Sequence, residues 1–211
     1  MKDKKQGMNL PNKLTVLRII LVPVFIVIMM LPQSVLDWKW SALIGAAIFT
    51  IASLTDMLDG KIARKYNLVT DFGKLMDPLA DKFMVIGALT AIVYRVTYST
   101  LLLTLFAIAL LVVIFRELAV TSLRLVASSS SGVVVAANML GKIKTVTQIV
   151  CVVAALVEPV IYDGLVFGEA ASWIPKYPPL TLTFCALMIV FTVWSGINYF
   201  IGMWKYLDPQ K

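Results

Sequence analysis

Residues 100–125 read TLLLTLFAIALLVVIFRELAVTSLRL, and no charge interrupts them before Arg116. As a helix rising 1.5 Å per residue, a stretch of this length crosses the roughly 30 Å hydrocarbon core of a bilayer. Five further stretches of similar length and character lie around it, at 14–33, 39–58, 78–98, 139–162 and 178–204. The chain as a whole agrees: 60% of its 211 residues are hydrophobic, 15% are charged, and mean hydropathy is +0.88. A soluble domain of this size would expose far more charge. The expected fold is therefore all-α, a polytopic membrane protein of about six transmembrane helices. They form a single domain over 1–211 and leave no room for a separate soluble one.

Residues 1–13 read as a cytoplasmic or interfacial lead, of which MKDKKQG at 1–7 is an unstructured polar start. In Pro11–Arg18 (PNKLTVLR), Pro11 and Asn12 suit a helix start whose apolar face rests on the membrane. The apolar run from Ile19 to Leu31 has the length of a signal-peptide core, but Pro32–Leu36 offers no small-residue cleavage site, so a retained helix is expected. Six spans place both termini on one side. That side receives all of the 19 lysines and arginines except Lys39, Arg95 and Lys176. The bias puts the termini, and the aspartate-rich segment described next, on the cytoplasmic side of the plasma membrane. The net charge of +7 suits anionic lipid headgroups, and no nucleic-acid partner is expected. Cys151 and Cys185 lie singly in apolar spans and the chain has no histidine, which removes Cys/His zinc sites and a histidine base. Chemistry must come from carboxylates, hydroxyls, Lys and Arg.

From Asp56 the chain reads DMLDGKIARKYNLVTDFGKLMDPLAD, in outline D-x2-D-G-x2-A-R-x8-G-x3-D-x3-D. Asp56 and Asp59 are three apart and Asp77 and Asp81 four apart, so each pair shares a helical face. Asp77-Pro78 reads as the start of the third span, with Asp as N-cap and Pro in the first turn, after a short connection at 65–72. Asp71 is set aside as an exposed residue of that connection. Ser128–Gly132 is expected to break the fourth span from the fifth, and 163–179 to form an extracytoplasmic loop. Four carboxylates at a membrane boundary are expensive, about 2.5–3.5 kcal/mol for a single Asp at a helix centre, with mutual repulsion added. Arg64 alone cannot neutralise them. An all-oxygen ligand set favours hard cations, Mg2+ or Mn2+, and two such ions can clamp a phosphoryl group during in-line displacement. Gly60, Ala63 and Gly73 leave room for a bulky ligand or a facing helix, and Arg64 has the fork geometry for a diphosphate.

This pattern resembles the signature of the CDP-alcohol phosphatidyltransferase family at every defining position. Three further segments, NLPNKLTVLR at 9–18, FRELAVTSLR at 115–124 and LGKIKT at 140–145, resemble the bacterial members that use glycerol 3-phosphate. The resemblance implies that Asp56, Asp59, Asp77 and Asp81 ligate two metal ions and that Asp81 is also the general base. It implies that Asn12, Thr15, Gly60, Ala63, Arg64, Thr70 and Gly73 bind CDP-diacylglycerol, with Arg64 and Thr70 at its phosphates. A homodimer is also what the family suggests.

The acceptor is expected to be glycerol 3-phosphate, an anion that calls for positive charge. Arg116, Arg124, Lys142 and Lys144 are the candidates. Arg116 and Arg124 are eight apart and share a face, whereas Lys142 and Lys144 diverge by about 200° around a helix. For Arg116 the alternative is a local ion pair with Glu117, and for the lysines it is contact with lipid headgroups. Other readings of the whole chain are a sister enzyme with another acceptor (inositol phosphate, serine or phosphatidylglycerol), a cation transporter, or a membrane assembly protein. A transporter would spread its carboxylates through the membrane depth. An assembly protein would not need four aspartates.

Overall fold

The computed structural model describes residues 9–66, 70–131, 139–162 and 178–204, with side chains described for all of these except 59–65, 71, 72, 74 and 128–131. Six α-helices follow in order: α1 (Leu10–Met30), α2 (Trp38–Lys65), α3 (Asp71–Arg95), α4 (Thr100–Ser131), α5 (Met139–Val160) and α6 (Pro179–Met203). A 3-10 turn at Val96–Tyr98 joins α3 to α4, and no strand occurs among the described residues. Five of the helices, all but α3, are long and apolar enough to cross a membrane. The early turns of α3 carry Lys74, Asp77, Asp81 and Lys82, which lowers its hydropathy.

Three expected boundaries need correction. α3 begins at Asp71, so Asp77 is not its N-cap and Pro78 lies inside the helix. The start is set instead by Thr70, whose hydroxyl accepts the backbone N–H of Gly73 at 3.1 Å, as an N-cap does for the third helical residue. Asp71 is therefore the first residue of a helix rather than part of a connection. α4 runs through the serines to Ser131, because serine is only a modest helix breaker when the neighbouring turns are strong formers. Finally, the first helix begins at Leu10 rather than at 14, so residues 10–18 are continuous with the first span. Asn9 caps α1 by accepting the Asn12 N–H at 3.1 Å, Pro11 occupies the first turn, and the helix runs unbroken into the apolar span. The face bearing Asn12, Thr15 and Arg18 is buried. The lead at 1–8 and most of the 163–179 loop lie outside the described residues.

The chain forms two compact units, Met1–Ala91 and Ile92–Lys211. In the first, α1 packs along α2, with the Phe25 and Phe49 rings 6.1 Å apart. Small residues permit this approach. A Cβ at Gly45 would stand 2.6 Å from Met29 Sδ, and one at Gly87 on α3 would stand 3.0 Å from Ile26 Cδ1. In the second unit α6 packs against both α4 and α5. Glu158 near the end of α5 is buried and fastens the start of α6, accepting from the N–H of Leu180 (2.8 Å), the N–H of Thr181 (2.6 Å) and the Thr181 hydroxyl (2.7 Å). That carboxylate meets orphan donors at a helix N-terminus, where negative charge is favoured. Large apolar side chains such as Leu111, Phe115 and Ile201 are mostly exposed, as expected of helices whose solvent is lipid.

Candidate active site

In the first unit, α1 supplies a polar stripe of three residues spaced three apart: Asn12, Thr15 and Arg18, all buried. Each reaches a residue of the aspartate segment. Arg18 Nη1 lies 2.6 Å from Asp56 Oδ1 on α2. The Thr15 hydroxyl donates to Asp77 Oδ1 on α3 at 2.5 Å. Asn12 Oδ1 accepts from the Thr70 hydroxyl at 2.9 Å, tying α1 to the cap of α3. Gly73 sits against this junction: a Cβ there would meet Asn12 Oδ1 at 3.2 Å, Thr70 Oγ1 at 3.4 Å and Asp77 Oδ2 at 3.6 Å. The close approach of α1 to α3 therefore depends on the glycine.

Asn12, Thr15, Thr70, Gly73 and Asp77 are thus brought together, and Asp56 is joined to the same stripe through Arg18. Asp81 follows one turn after Asp77 on α3 and is half-buried. Asp59, Gly60, Ala63 and Arg64 lie on the final turns of α2, and their side-chain placement falls outside the described residues. Arg18 is the member that sequence reasoning missed. It counted there as one of many cytoplasmic cations and as the end of the 9–18 segment, although the three-residue steps from Asn12 to Thr15 to Arg18 signal a shared face.

Among the described residues no group of three or more His, Cys, Asp or Glu side chains converges, and Asp59 falls outside that set. The donor chemistry nevertheless fits hard divalent ions. The carboxylates are oxygen donors in a chain without histidine, and the Asp56 side chain is 34% exposed while Asp77 and Asp81 are half-buried, so all three are reachable.

The second unit holds the basic residues in two linked arrangements. Glu117 Oε1 accepts from Arg116 Nη1 at 2.9 Å and also from the Lys144 ammonium, which reaches it from α5. Arg116 Nη2 donates to Ser195 Oγ at 2.8 Å on α6. Arg124 Nη2 donates to the Tyr199 hydroxyl at 2.6 Å, and both guanidinium groups lie over the Tyr199 ring, at 5.6 Å for Arg116 and 4.9 Å for Arg124. The shared face of the two arginines is thus observed. So is the divergence of the lysines, since Lys144 is buried and Lys142 is exposed. The local pair of Arg116 with Glu117 is present too, but it is one arm of a bridge that also takes Lys144. Ser195 and Tyr199 carried no sequence signal, because they lie 79 and 75 residues from the arginines they bind.

A comparison with known proteins matches residues 8–204 to the family model described as CDP-alcohol phosphatidyltransferase. The chain belongs to the CDP-alcohol phosphatidyltransferase family. Members of this family are in general metal-dependent. Curated relatives named CDP-diacylglycerol–glycerol-3-phosphate 3-phosphatidyltransferase include one from Bacillus subtilis (strain 168), 42% identical over 96% of this chain and 99% of the relative. Others with that name come from Salmonella paratyphi A, at 34% identity over 90% of the chain and 92% of the relative, and from Escherichia coli K12, at 33% over the same shares.

Proposed function

We propose that this membrane-embedded family member transfers the phosphatidyl group of CDP-diacylglycerol to glycerol 3-phosphate, giving phosphatidylglycerophosphate and CMP. The observation that carries the reading is the attachment of α1 to aspartates of two other helices, Asp56 through Arg18 and Asp77 through Thr15. A buried polar stripe directed at carboxylates is the framework that a diphosphate-binding site requires. The names of the relatives support the choice of acceptor.

Asp56, Asp59, Asp77 and Asp81 would hold two ions, Mg2+ or Mn2+, which when bound neutralise the diphosphate and polarise the attacked phosphorus. Asn12, Thr15, Gly60 and Ala63 would receive the cytidine nucleotide, Arg64 and Thr70 its phosphates, and Gly73 belongs to the same CDP-diacylglycerol site. Asp81 takes the proton of the acceptor's 1-hydroxyl. The oxygen so released bonds to the phosphatidyl phosphorus as the bond from that phosphorus to CMP breaks. Desolvation narrows the gap between a carboxylate base and an alcohol. Arg116, Arg124, Lys142 and Lys144 are assigned to the acceptor phosphate. The buried Arg116 and Lys144 suit that role better than the exposed Lys142. The same reading places the termini and the aspartate cluster on the cytoplasmic side of the plasma membrane, within a single functional domain, and includes assembly as a homodimer.

The test supplies purified protein with CDP-diacylglycerol, Mg2+ or Mn2+, and each candidate acceptor, and follows CMP release. Release with glycerol 3-phosphate is expected. Release only with inositol phosphate, serine or phosphatidylglycerol would overturn the acceptor assignment. Asp81→Asn is expected to lose at least about 100-fold in turnover, within the range of general-base contributions. Full turnover in that variant would remove Asp81 as the base.

A further inference from the structure

We propose that the seam between α4 and α6 is a binding groove for an anionic phospholipid of the surrounding membrane, which lays an acyl chain along it and sets its headgroup phosphate on Arg124. On α4, residues recurring at every fourth position form two adjoining rows. One row is Leu111, Phe115, Ala119 and Leu123, and the other is Val112, Arg116 and Val120. With Val193, Gly196 and Ile197 of α6 they line a groove of about 560 Å3 within the second unit. The lining is apolar apart from Arg116 and Thr192, and both of these are buried, Arg116 bonded to Glu117 and Ser195. Four residues past Val120 the second row continues into Arg124, which is exposed and lies near the end of the apolar span Thr100–Ala127. Its Nη2 donates to the Tyr199 hydroxyl and its guanidinium lies over the Tyr199 ring, but no carboxylate pairs with it among the described residues. A guanidinium carries five N–H donors in a fork that suits a phosphate. The groove thus ends in a cation without a counter-charge where the span ends, and basic sites of this kind between membrane helices take anionic lipids. Arg124 is thereby assigned to a lipid phosphate in place of the acceptor phosphate, which stays with the buried Arg116 and Lys144.

The groove suits a chain better than a second copy of the protein. In lipid, helices associate by close packing of small residues. Here the small residues Ala119 and Gly196 are half-buried, while Leu111 and Phe115 on one wall and Ile197 on the other stand 67%, 76% and 54% exposed. Those rims hold off a helix of about 10–12 Å diameter and admit a single acyl chain. The chain alone gives no preference between lipids, because lipid tails are as apolar as the groove. The phosphate on Arg124 must supply it, so selectivity between lipids with the same chains is the quantity to read.

Native mass spectrometry of the full-length protein in detergent reads it, with phosphatidylglycerol and phosphatidylcholine of identical chains titrated in turn. Wild type is expected to hold one phosphatidylglycerol about fivefold more tightly than phosphatidylcholine. Arg124→Gln is expected to bind the two equally. Ala119→Phe, which fills the groove and leaves the charge unchanged, is expected to lose the tight phosphatidylglycerol. Lys142→Gln removes an exposed cation of α5 and is expected to keep the preference. No preference in wild type overturns the proposal. So does an equal loss in Lys142→Gln and Arg124→Gln, which would show general attraction to the net charge of +7. Unchanged lipid binding in Ala119→Phe overturns it too, and if that variant is monomeric where wild type is dimeric, the groove belongs to a second copy. If Ala119→Phe does not fold, Val193→Trp fills the groove from the facing wall and is read in the same way. No substrate is present in these titrations, so failure of the acceptor assignment and failure of the lipid site are separate results.

Discussion

Replacing Glu117 by Gln tests the basic cluster of the second unit most directly. The change keeps the shape of the side chain and removes one negative charge. Glu117 now serves two cations, Arg116 and Lys144, and the three side chains are only 12%, 10% and 7% exposed. With the charge gone, two buried cations face each other with no carboxylate between them. Breaking a buried pair by removing one partner costs about 3–5 kcal/mol. Two features place this case near the lower bound: the Gln carbonyl can still accept one hydrogen bond, and Arg116 keeps Ser195 and the Tyr199 ring. A loss of about 3 kcal/mol corresponds to a fall in Tm of about 6–12 °C for a chain of this size. Thermal unfolding of the purified protein in detergent measures it. The same assay, repeated with glycerol 3-phosphate, asks what the cations are for. If Arg116 and Lys144 receive the acceptor phosphate, the dianion replaces the missing charge and raises Tm more in Glu117→Gln than in wild type. A fall of less than about 2 °C, under 1 kcal/mol by the same conversion, would refute the energetic reasoning. An equal response to glycerol 3-phosphate in both proteins would detach these two residues from the acceptor.

Glu158→Ala should lower stability by about 2 kcal/mol, since the two buried donors of Thr181 and the N–H of Leu180 lose their acceptor; chemical unfolding reads the loss, and turnover per folded molecule should stay unchanged. Gly73→Ala should raise the KM for CDP-diacylglycerol several-fold with the fold retained, because the new methyl presses on Asn12 and Thr70; wild-type kinetics would show that this junction tolerates displacement. Cys151 and Cys185 are fully buried, so neither should react with a maleimide until the protein unfolds, and mass spectrometry of the labelled protein checks this.

What the sequence made legible, and what it did not, follows from the range of the interactions involved. Apolar length announces the spanning helices, because in lipid each helix satisfies its own backbone and needs no knowledge of its neighbours. Spacing along a helix is equally local, so the common face of Arg116 and Arg124 and the divergence of Lys142 from Lys144 could be read directly. The start of α3 was local too, but it was read at Asp77-Pro78, and the Thr70 hydroxyl was given no capping role. The structure gives the cap to Thr70, whose hydroxyl also reaches Asn12 on α1, a contact no local rule weighs. Arg18 shows the same limit in its sharpest form. An arginine following a basic lead satisfies the topology rule whether it faces headgroups or the interior, so charge counting cannot distinguish the two. Only the packing of α1 against α2 and α3 decides, and it buries Arg18 on the stripe with Asn12 and Thr15 beside Asp56. The charge balance of the aspartate cluster therefore includes a cation supplied by a different helix, 38 residues before the carboxylate it pairs with. Estimates that neutralise the cluster with Arg64 and metal ions alone assign the ions more charge to offset than the protein leaves them.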